Sequence, residues 1–293
     1  NQLVAFVEEP GGLKTLWSYP VGGMIPGSPA IGPDGHVRIH AGDSCLHCLT
    51  ADRQAVWPPV GGGEPLAWSS PLVDAENTTW ITLYAGGLTK VDANGQLHNS
   101  RPPAPGAAPD PSAHRPFFRG LAKFDSTGLI RQGHLYVGAE DQFVYAIDLS
   151  GSKGQNRWSQ TENRGRTGLF INSSLALLGE RGVVVASRDE HLYAFDWAGQ
   201  MLWKTKLPGQ ALASPVVAFD RCFVGVTAGN PQGQRRGLFV CVDGQTGMPA
   251  WEPPALGPVE STPVVGADRL TYFGDNAGTL HALSTDNGQT AWT

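Results

Sequence analysis

The residues of this sequence that most resemble a chemical motif are two cysteines beside a histidine. Cys45-Leu46-His47-Cys48 has the spacing of a redox or metal-binding pair. The surrounding pattern predicts a β-strand, however, and residues three apart on a strand face opposite sides, about 10 Å apart. That separation is too large for a disulfide or a shared zinc ion. Haem attachment would need a histidine after the second cysteine. We therefore interpret Cys48 as a packing residue.

Arginines suggest a second kind of chemistry. The segment Arg164-Gly165-Arg166-Thr167-Gly168 places two of them in one loop, and Arg119 follows a proline-rich stretch. Arginine binds carboxylates and phosphates through a planar fork of donors, so these side chains could meet an anionic ligand. Solvated loop charge is the alternative interpretation.

Composition argues against two classes of function. The chain of 293 residues has a net charge of −5, and no segment carries a basic stripe, so we expect no nucleic-acid partner. No run of 18 apolar residues occurs, so we expect no membrane span. The chain begins at Asn1 rather than at a methionine, which indicates a processed or excised chain.

A tandem repeat of roughly forty residues must position these candidates. Each copy holds four short apolar runs separated by Gly, Asp or Asn turns. One copy runs from Ser261 to Trp292, and the copy before it runs from Ala213 to Trp251. Four short strands per repeat are typical of a propeller blade. The sequence therefore predicts an all-β protein, a β-propeller of four-stranded antiparallel blades.

Two positions recur in the repeat and have a packing explanation. Each copy closes on a large residue, which should fill the wedge between blades, and an indole N–H there should find a neighbouring carbonyl. A second position is small six times, which suits close packing of one blade on the next. Cys222 aligns with Leu270, so it too should be a core residue. The closing residues are Trp17, Trp57, Leu97, Trp158, Trp203, Trp251 and Trp292, and the small ones are Ala5, Cys48, Ala146, Ala194, Cys241 and Ala282.

The repeat also predicts the domain organisation, a single propeller domain over 1–293. Residues 1–17 match half a blade, and residues 98–116 form a proline-rich insert loop. Six full repeats plus the half repeat fit a seven-bladed ring of which this chain is a fragment, and rings of six or eight blades stay open. In the six-blade case, residues 1–17 add to an edge. The predicted blades are 18–57, 58–97, 117–158, 159–203, 204–251 and 252–292.

The repeat resembles that of pyrroloquinoline-quinone (PQQ) enzymes. Its pattern is Tyr or Phe, x-Gly-x-x-Asp, then Leu-Tyr/His-Ala-Leu/Phe-Asp, a Gly and a Trp, with clear copies at 136–158 and 272–292. The resemblance extends over nearly the whole chain. It implies the PQQ-like propeller fold, which also occurs in many propellers that bind no quinone.

A quinone enzyme of this family would need more than the repeat. The resemblance implies a Ca²⁺ site, an aspartate base and basic residues for the quinone carboxylates, and often two adjacent cysteines, which this chain lacks. Acidic and amide residues are present, but each lies in a turn of the repeat itself, where turn chemistry explains it. These residues are Glu140, Asp141, Asp189, Glu190, Asp275 and Asn276.

Propeller geometry points to a central funnel. The first strand of each blade should line the channel, which puts the residues just before those strands at its mouth. Aligned copies place Trp68, Asn172, Leu212 and Glu260 there, and we expect Arg119 in the same ring. An aromatic, an amide, an acid and a base suit a binding funnel, to which Arg164 and Arg166 could add. The alternative is that these side chains only hold channel water.

The leading hypothesis is a non-catalytic scaffold that binds a protein partner or a small ligand at its funnel, with no cofactor and no metal. One alternative is a PQQ- and calcium-dependent quinoprotein dehydrogenase. Another is the propeller module of a larger enzyme, such as an adenylate-forming one. The resemblance implies a periplasmic or extracellular location, since bacterial relatives often work outside the cytoplasm, some in outer-membrane protein assembly.

Overall fold

The computed structural model describes residues 1–61, 69–83, 86–98, 116–151, 153–158, 160–229, 235–251 and 254–293. Trp68 and most of the predicted proline-rich insert lie outside these residues. Within them, the secondary structure is strands and one turn of 3₁₀ helix at Gln160–Glu162. None of the helices in this part of the chain is long and apolar enough to cross a membrane. The all-β prediction is confirmed.

The chain divides into two compact units. Unit 1 comprises Asn1–Gly133 and Asp148–Gln155, and unit 2 comprises His134–Ile147 and Asn156–Thr293. The strands of unit 1 are β1 (Gln2–Glu9), β2 (Gly12–Pro20), β3 (Ala30–Ile31), β4 (Val37–His40), β5 (Cys45–Leu49), β6 (Val60–Gly61), β7 (Leu72–Val73), β8 (Thr79–Leu83), β9 (Gly87–Val91), β10 (Leu97–His98), β11 (Phe118–Arg119) and β12 (Leu129–Arg131).

Unit 1 contains antiparallel sheets built from consecutive strands. β1 and β2 form a hairpin of two strands, β3 to β6 form a four-stranded sheet, and β7 to β10 form another, in which β11 also pairs with β9. A small core lies between the last two sheets, where Leu46 and Cys48 of β5 pack with Ile81 and Val91. Short strands joined in sequence order are what the repeat pattern predicts.

Unit 2 holds most of the remaining strands. Those that lie wholly or partly in it are β13 (His134–Gly138), β14 (Val144–Asp148), β15 (Gln155–Asn156), β16 (Ala176–Leu178), β17 (Gly182–Ser187), β18 (His191–Asp196), β19 (Met201–Lys206), β20 (Val216–Ala218), β21 (Arg221–Gly229), β22 (Arg235–Asp243), β23 (Ala255–Leu256), β24 (Val264–Val265), β25 (Leu270–Gly274), β26 (Leu280–Ser284) and β27 (Thr290–Trp292).

Three four-stranded antiparallel sheets follow one another in unit 2. Their strand orders are β16 to β19, β20 to β23 and β24 to β27. The middle strands are buried on both faces, so Val183 to Ala186 read as a continuous apolar run rather than an alternating one. One core cluster joins the first sheet to the second, and another, centred on the stacked rings of Phe239 and Phe273, joins the second to the third.

Several closing tryptophans join neighbouring sheets as the sequence predicts. The indoles of Trp158, Trp203 and Trp251 each pack on a glycine of the following sheet, at which a Cβ would lie 2.6–2.8 Å from the ring at Gly199, Gly247 and Gly288. These glycines have φ between 71° and 81°, so the turn needs glycine for its backbone as well. The indole N–H groups of Trp17, Trp158, Trp203 and Trp251 donate to the carbonyls of Ala51, Trp197, Gly244 and Thr285 at 2.8–3.3 Å. The buried N–H of Trp57 has no acceptor among the described residues, so the predicted hydrogen bond is wrong there.

The cysteines occupy packing positions, which confirms their interpretation from the sequence. Cys48, Cys222 and Cys241 are buried, and all four cysteines are free thiols. Burial raises the pKa of Cys48 to about 11 and that of Cys241 to about 12. A buried thiol that stays protonated at neutral pH is a poor nucleophile and a poor metal ligand.

Candidate functional site

The segments that lead into the first strand of each sheet, which we call heads, are joined by one recurring hydrogen bond. A backbone N–H in one head donates to a hydroxyl in the next head of the same unit. In unit 2, Ser174 donates to Ser214 at 2.8 Å, and Ser214 donates to Thr262 at 3.3 Å. In unit 1, Ser28 donates to Ser70 and Ser70 donates to Thr127, each at 2.9 Å. This ladder sets the heads of each unit side by side.

The ladder places two predicted funnel residues at equivalent positions in unit 2. Asn172 and Glu260 each lie two residues before a ladder residue, and Leu212 lies at the same position between them. Arg119 of unit 1 lies elsewhere, on β11, where its backbone pairs with Gly87 of β9. In unit 1 the equivalent position, two residues before the ladder residue Thr127, is occupied by Asp125. Trp68 is outside the described residues.

Both head residues in unit 2 hold an exposed arginine. Arg188 donates from Nε to Asn172 Oδ1 at 3.0 Å. Arg235 donates from Nη2 to Glu260 Oε1 at 2.6 Å. The second pair is an ion pair, whereas the first joins a cation to a neutral amide. The two heads therefore differ in charge although their geometry is similar.

The two predicted loop arginines have structural partners. Arg164 binds Glu162 Oε2 at 2.7 Å and the carbonyl of Ala198 at 2.9 Å. Arg166 donates to Asn163 Oδ1 at 2.9 Å, and its guanidinium lies 5.9 Å from the centre of the Phe143 ring. These contacts stabilise the connection between Trp158 and β16, a role that needs no bound anion.

An exposed apolar pair, which the sequence interpretation missed, lies between these arginines and Asn172. Leu169 and Phe170 are 45% and 49% exposed, while the next residue, Ile171, is fully buried. We call residues 167–171 the docking loop. The signal in the sequence was Thr-Gly-Leu-Phe-Ile just before a head, where the other heads of unit 2 carry Gly209-Gln210 and Gly257-Pro258.

The backbone of the docking loop is held by several hydrogen bonds. The carbonyl of Leu169 accepts from the hydroxyl groups of Thr167 at 2.7 Å and of the buried Ser187 at 3.1 Å. The carbonyl of Phe170 accepts from the N–H of Arg188 at 3.0 Å. A loop whose polar groups are paired in this way presents its side chains in a fixed geometry.

Asp189 and Tyr193 fix the start of the docking loop. The N–H of Gly168 lies 3.1 Å from Asp189 Oδ2 and 3.0 Å from Tyr193 Oη, and the tyrosine hydroxyl donates to the same carboxylate oxygen. Burial, together with the nearby Asp189 carboxylate, raises the pKa of Tyr193. The phenol therefore remains a neutral donor over the whole physiological pH range.

Two of the acidic turn residues, Asp275 and Asp189, are engaged in hydrogen bonds within the protein. Asp275 accepts from the N–H groups of Ala277 and Thr279, each at 2.9 Å, and from His281 Nε2 at 3.0 Å. The hydrogen bond from His281 holds the pKa of Asp275 below its usual value. Asp189 accepts hydrogen bonds from the N–H of Gly168 and the hydroxyl of Tyr193. Among the described residues, no group of three His, Cys, Asp or Glu side chains could hold a metal ion.

Comparisons with known proteins agree with the fold. A family model described as outer membrane protein assembly factor BamB matches residues 140–232 and 188–293, which together are just over half of the chain. The crystal structure of BamB from Moraxella catarrhalis superposes with a TM-score of 0.65 over 91% of this chain and 75% of that chain, at 12% identity. At that identity the likeness concerns the fold. No curated protein matches the sequence significantly.

Proposed function

The chain belongs to the family of PQQ-like repeat propellers described as outer membrane protein assembly factor BamB, and we propose that it is a non-catalytic protein-binding scaffold in outer-membrane protein assembly. Its partner is another protein of that process, and its location is the periplasm. The recognised family suggests the process, and the docking loop of unit 2 suggests how a partner is held.

One observation carries this proposal: the docking loop exposes Leu169 and Phe170 on a fixed backbone. Apolar side chains on a rigid support lose little conformational entropy when they enter a partner's pocket. Truncation of such an anchor typically costs about 1–3 kcal/mol of binding free energy. Neither side chain is needed for the core, because Ile171 fills that role.

Cross-linking in cells tests the proposal. A photo-reactive phenylalanine analogue in place of Phe170 should form one dominant adduct, and mass spectrometry should identify it as an outer-membrane protein assembly component. The matched control places the same analogue at Met248, which is 69% exposed in another part of unit 2. Equal adducts from both sites, or none from Phe170, would contradict the proposal.

A genetic readout makes the test functional. We expect the double variant Leu169→Ser, Phe170→Ser to lower the levels of folded outer-membrane proteins about as much as deletion of the gene. The control Met201→Ser, Met248→Ser removes two side chains that are 56% and 69% exposed, and it should have no effect. If the docking-loop variant has wild-type levels of folded outer-membrane proteins and unchanged thermal unfolding, the proposal is wrong. Cell fractionation of the same strains tests the periplasmic location.

A further inference from the structure

We infer that Arg188 receives a carboxylate of the protein partner that binds the docking loop, an inference that rests on the proposed function. The partner surface would then carry an Asp or Glu next to apolar side chains. Arg188 would select for this acidic group, while Leu169 and Phe170 supply the apolar contact.

The position of Arg188 supports this role. Its backbone N–H donates to the carbonyl of Phe170, and its Nε donates to Asn172 Oδ1, each at 3.0 Å. These two bonds fix both ends of an otherwise flexible side chain beside the apolar pair. In the part of the chain that the structure describes, neither terminal Nη of Arg188 has a protein partner. The exposed guanidinium can therefore offer donors to a carboxylate.

Arg188 has no acidic partner, unlike Arg164 and Lys206, which pair with Glu162 and Glu190. Its anchor Asn172 is neutral, and the adjacent Asp189 binds Gly168 and Tyr193. The other nearby acid, Glu190, pairs with Lys206 at 2.6 Å. Residues 157–206 hold seven Lys or Arg against five Asp or Glu, whereas the whole chain has 21 against 26. The docking loop thus lies in a locally cationic part of an acidic protein, which favours an acidic partner.

A membrane surface would also attract an apolar loop beside a cation, but the observations favour a protein. Binding to anionic lipid draws on several basic residues, at about 1 kcal/mol each. Here Arg166 and Arg188 hydrogen-bond neutral amides, and Asp189 and Glu190 lie in the same turn as Arg188. A single oriented guanidinium suits one carboxylate at a defined position.

A random-peptide display library provides a probe for the acidic preference. Peptides selected on the wild-type protein should be enriched in Asp or Glu beside apolar residues. Selection on Arg188→Glu should reverse the charge preference toward Lys or Arg. For the best acidic peptide, Arg188→Gln should weaken binding about five- to tenfold, and more at low salt than at high salt.

Two further variants separate charge from structure. Asn172→Asp keeps the hydrogen bond to Arg188 but supplies a carboxylate within the protein, so it should weaken the acidic peptide about as much as Arg188→Gln. Arg235→Gln removes an arginine already paired with Glu260, and it should leave binding within about twofold. Equal losses for Arg188→Gln and Arg235→Gln would overturn the inference.

The remaining outcomes distinguish this inference from the proposed function. If the selected peptides lose binding in the Leu169→Ser, Phe170→Ser variant and yet show no enrichment of Asp or Glu, that result would overturn the role of Arg188 but would agree with binding at the docking loop. Peptides that bind the Leu169→Ser, Phe170→Ser variant as well as wild type, or no peptide retained above that background, would overturn both. Binding to vesicles of 30% phosphatidylglycerol that is lost in Arg188→Gln would replace the protein partner by a membrane.

Discussion

The heads that precede β16 and β24 have the same backbone and different surfaces. In the first, Arg188 N–H donates to the carbonyl of Phe170 at 3.0 Å, and in the second, Asn276 N–H donates to that of Pro258 at 2.8 Å. Each is followed by a fully buried residue, Ile171 or Val259. The first head exposes an apolar pair and an uncompensated arginine, whereas the second has Gly257, Pro258 and an ion pair. The repeat determines the backbone of each head, and a few exposed side chains determine what a head can bind.

The largest effect should come from the carboxylate that holds the first head. Asp189→Ala leaves the hydroxyl of the buried Tyr193 without its acceptor and removes one of the two acceptors of the Gly168 N–H, so we expect a loss of about 2–3 kcal/mol in the free energy of unfolding. Urea titration measures it. Tyr193→Phe keeps the ring stacked on Phe195 and should cost about 1 kcal/mol. If the two variants cost the same, Asp189 is not the main anchor.

The second-largest effect should be a difference between the two heads in how their contributions to the free energy of unfolding depend on pH. Folding raises the pKa of Tyr193, so its contribution is present below pH ~10 and is lost as the pH rises further. Folding lowers the pKa of Asp275, so its contribution is present above pH ~4 and is lost as the pH falls. The stability gap between wild type and Tyr193→Phe should therefore close in alkali, and the gap to Asp275→Asn should close in acid. Gaps that do not vary with pH would refute this assignment.

The smallest effect should come from the ion pair of the second head. Arg235 and Glu260 are 55% and 34% exposed, so Glu260→Gln should cost less than about 1 kcal/mol, and less still at high salt. Differential scanning calorimetry at two ionic strengths checks this. A cost above 2 kcal/mol would mean that the second head is held by its surface charge rather than by its backbone bonds.

The sequence predicts the four-stranded sheets and their packing well, because the same residue types recur in each copy of the repeat. The closing tryptophans, the small buried positions and the turn aspartates each recur, so one packing rule explains many residues. Strand ends are less predictable. β6 pairs with β5 as far as Gly61, and β23 pairs with β22 at Ala255 and Leu256, both beyond the tryptophan that closes the repeat in sequence. Where a strand ends depends on its hydrogen bonds to the adjacent strand, and the pattern of apolar residues does not show these bonds.

The candidate site was harder to predict for the opposite reason. Asn172 and Glu260 could be placed by alignment, but Leu169 and Phe170 occur once, so periodicity gives them no weight. Arg188 looks like an ordinary turn residue in sequence. Only the structure shows that its two hydrogen bonds orient it beside the apolar pair and that its amide partner leaves its charge uncompensated.

The contact between Trp203 and Gly247 of the next sheet has a consequence for how unit 2 unfolds. Trp203 lies on Gly247 where β16–β19 meets β20–β23, beside the core cluster that joins the same two sheets. Sheets joined by such contacts behave as coupled elements, and loss of one coupling lets the two sides unfold at different denaturant concentrations. Gly247→Ala should therefore turn one cooperative transition of unit 2 into two.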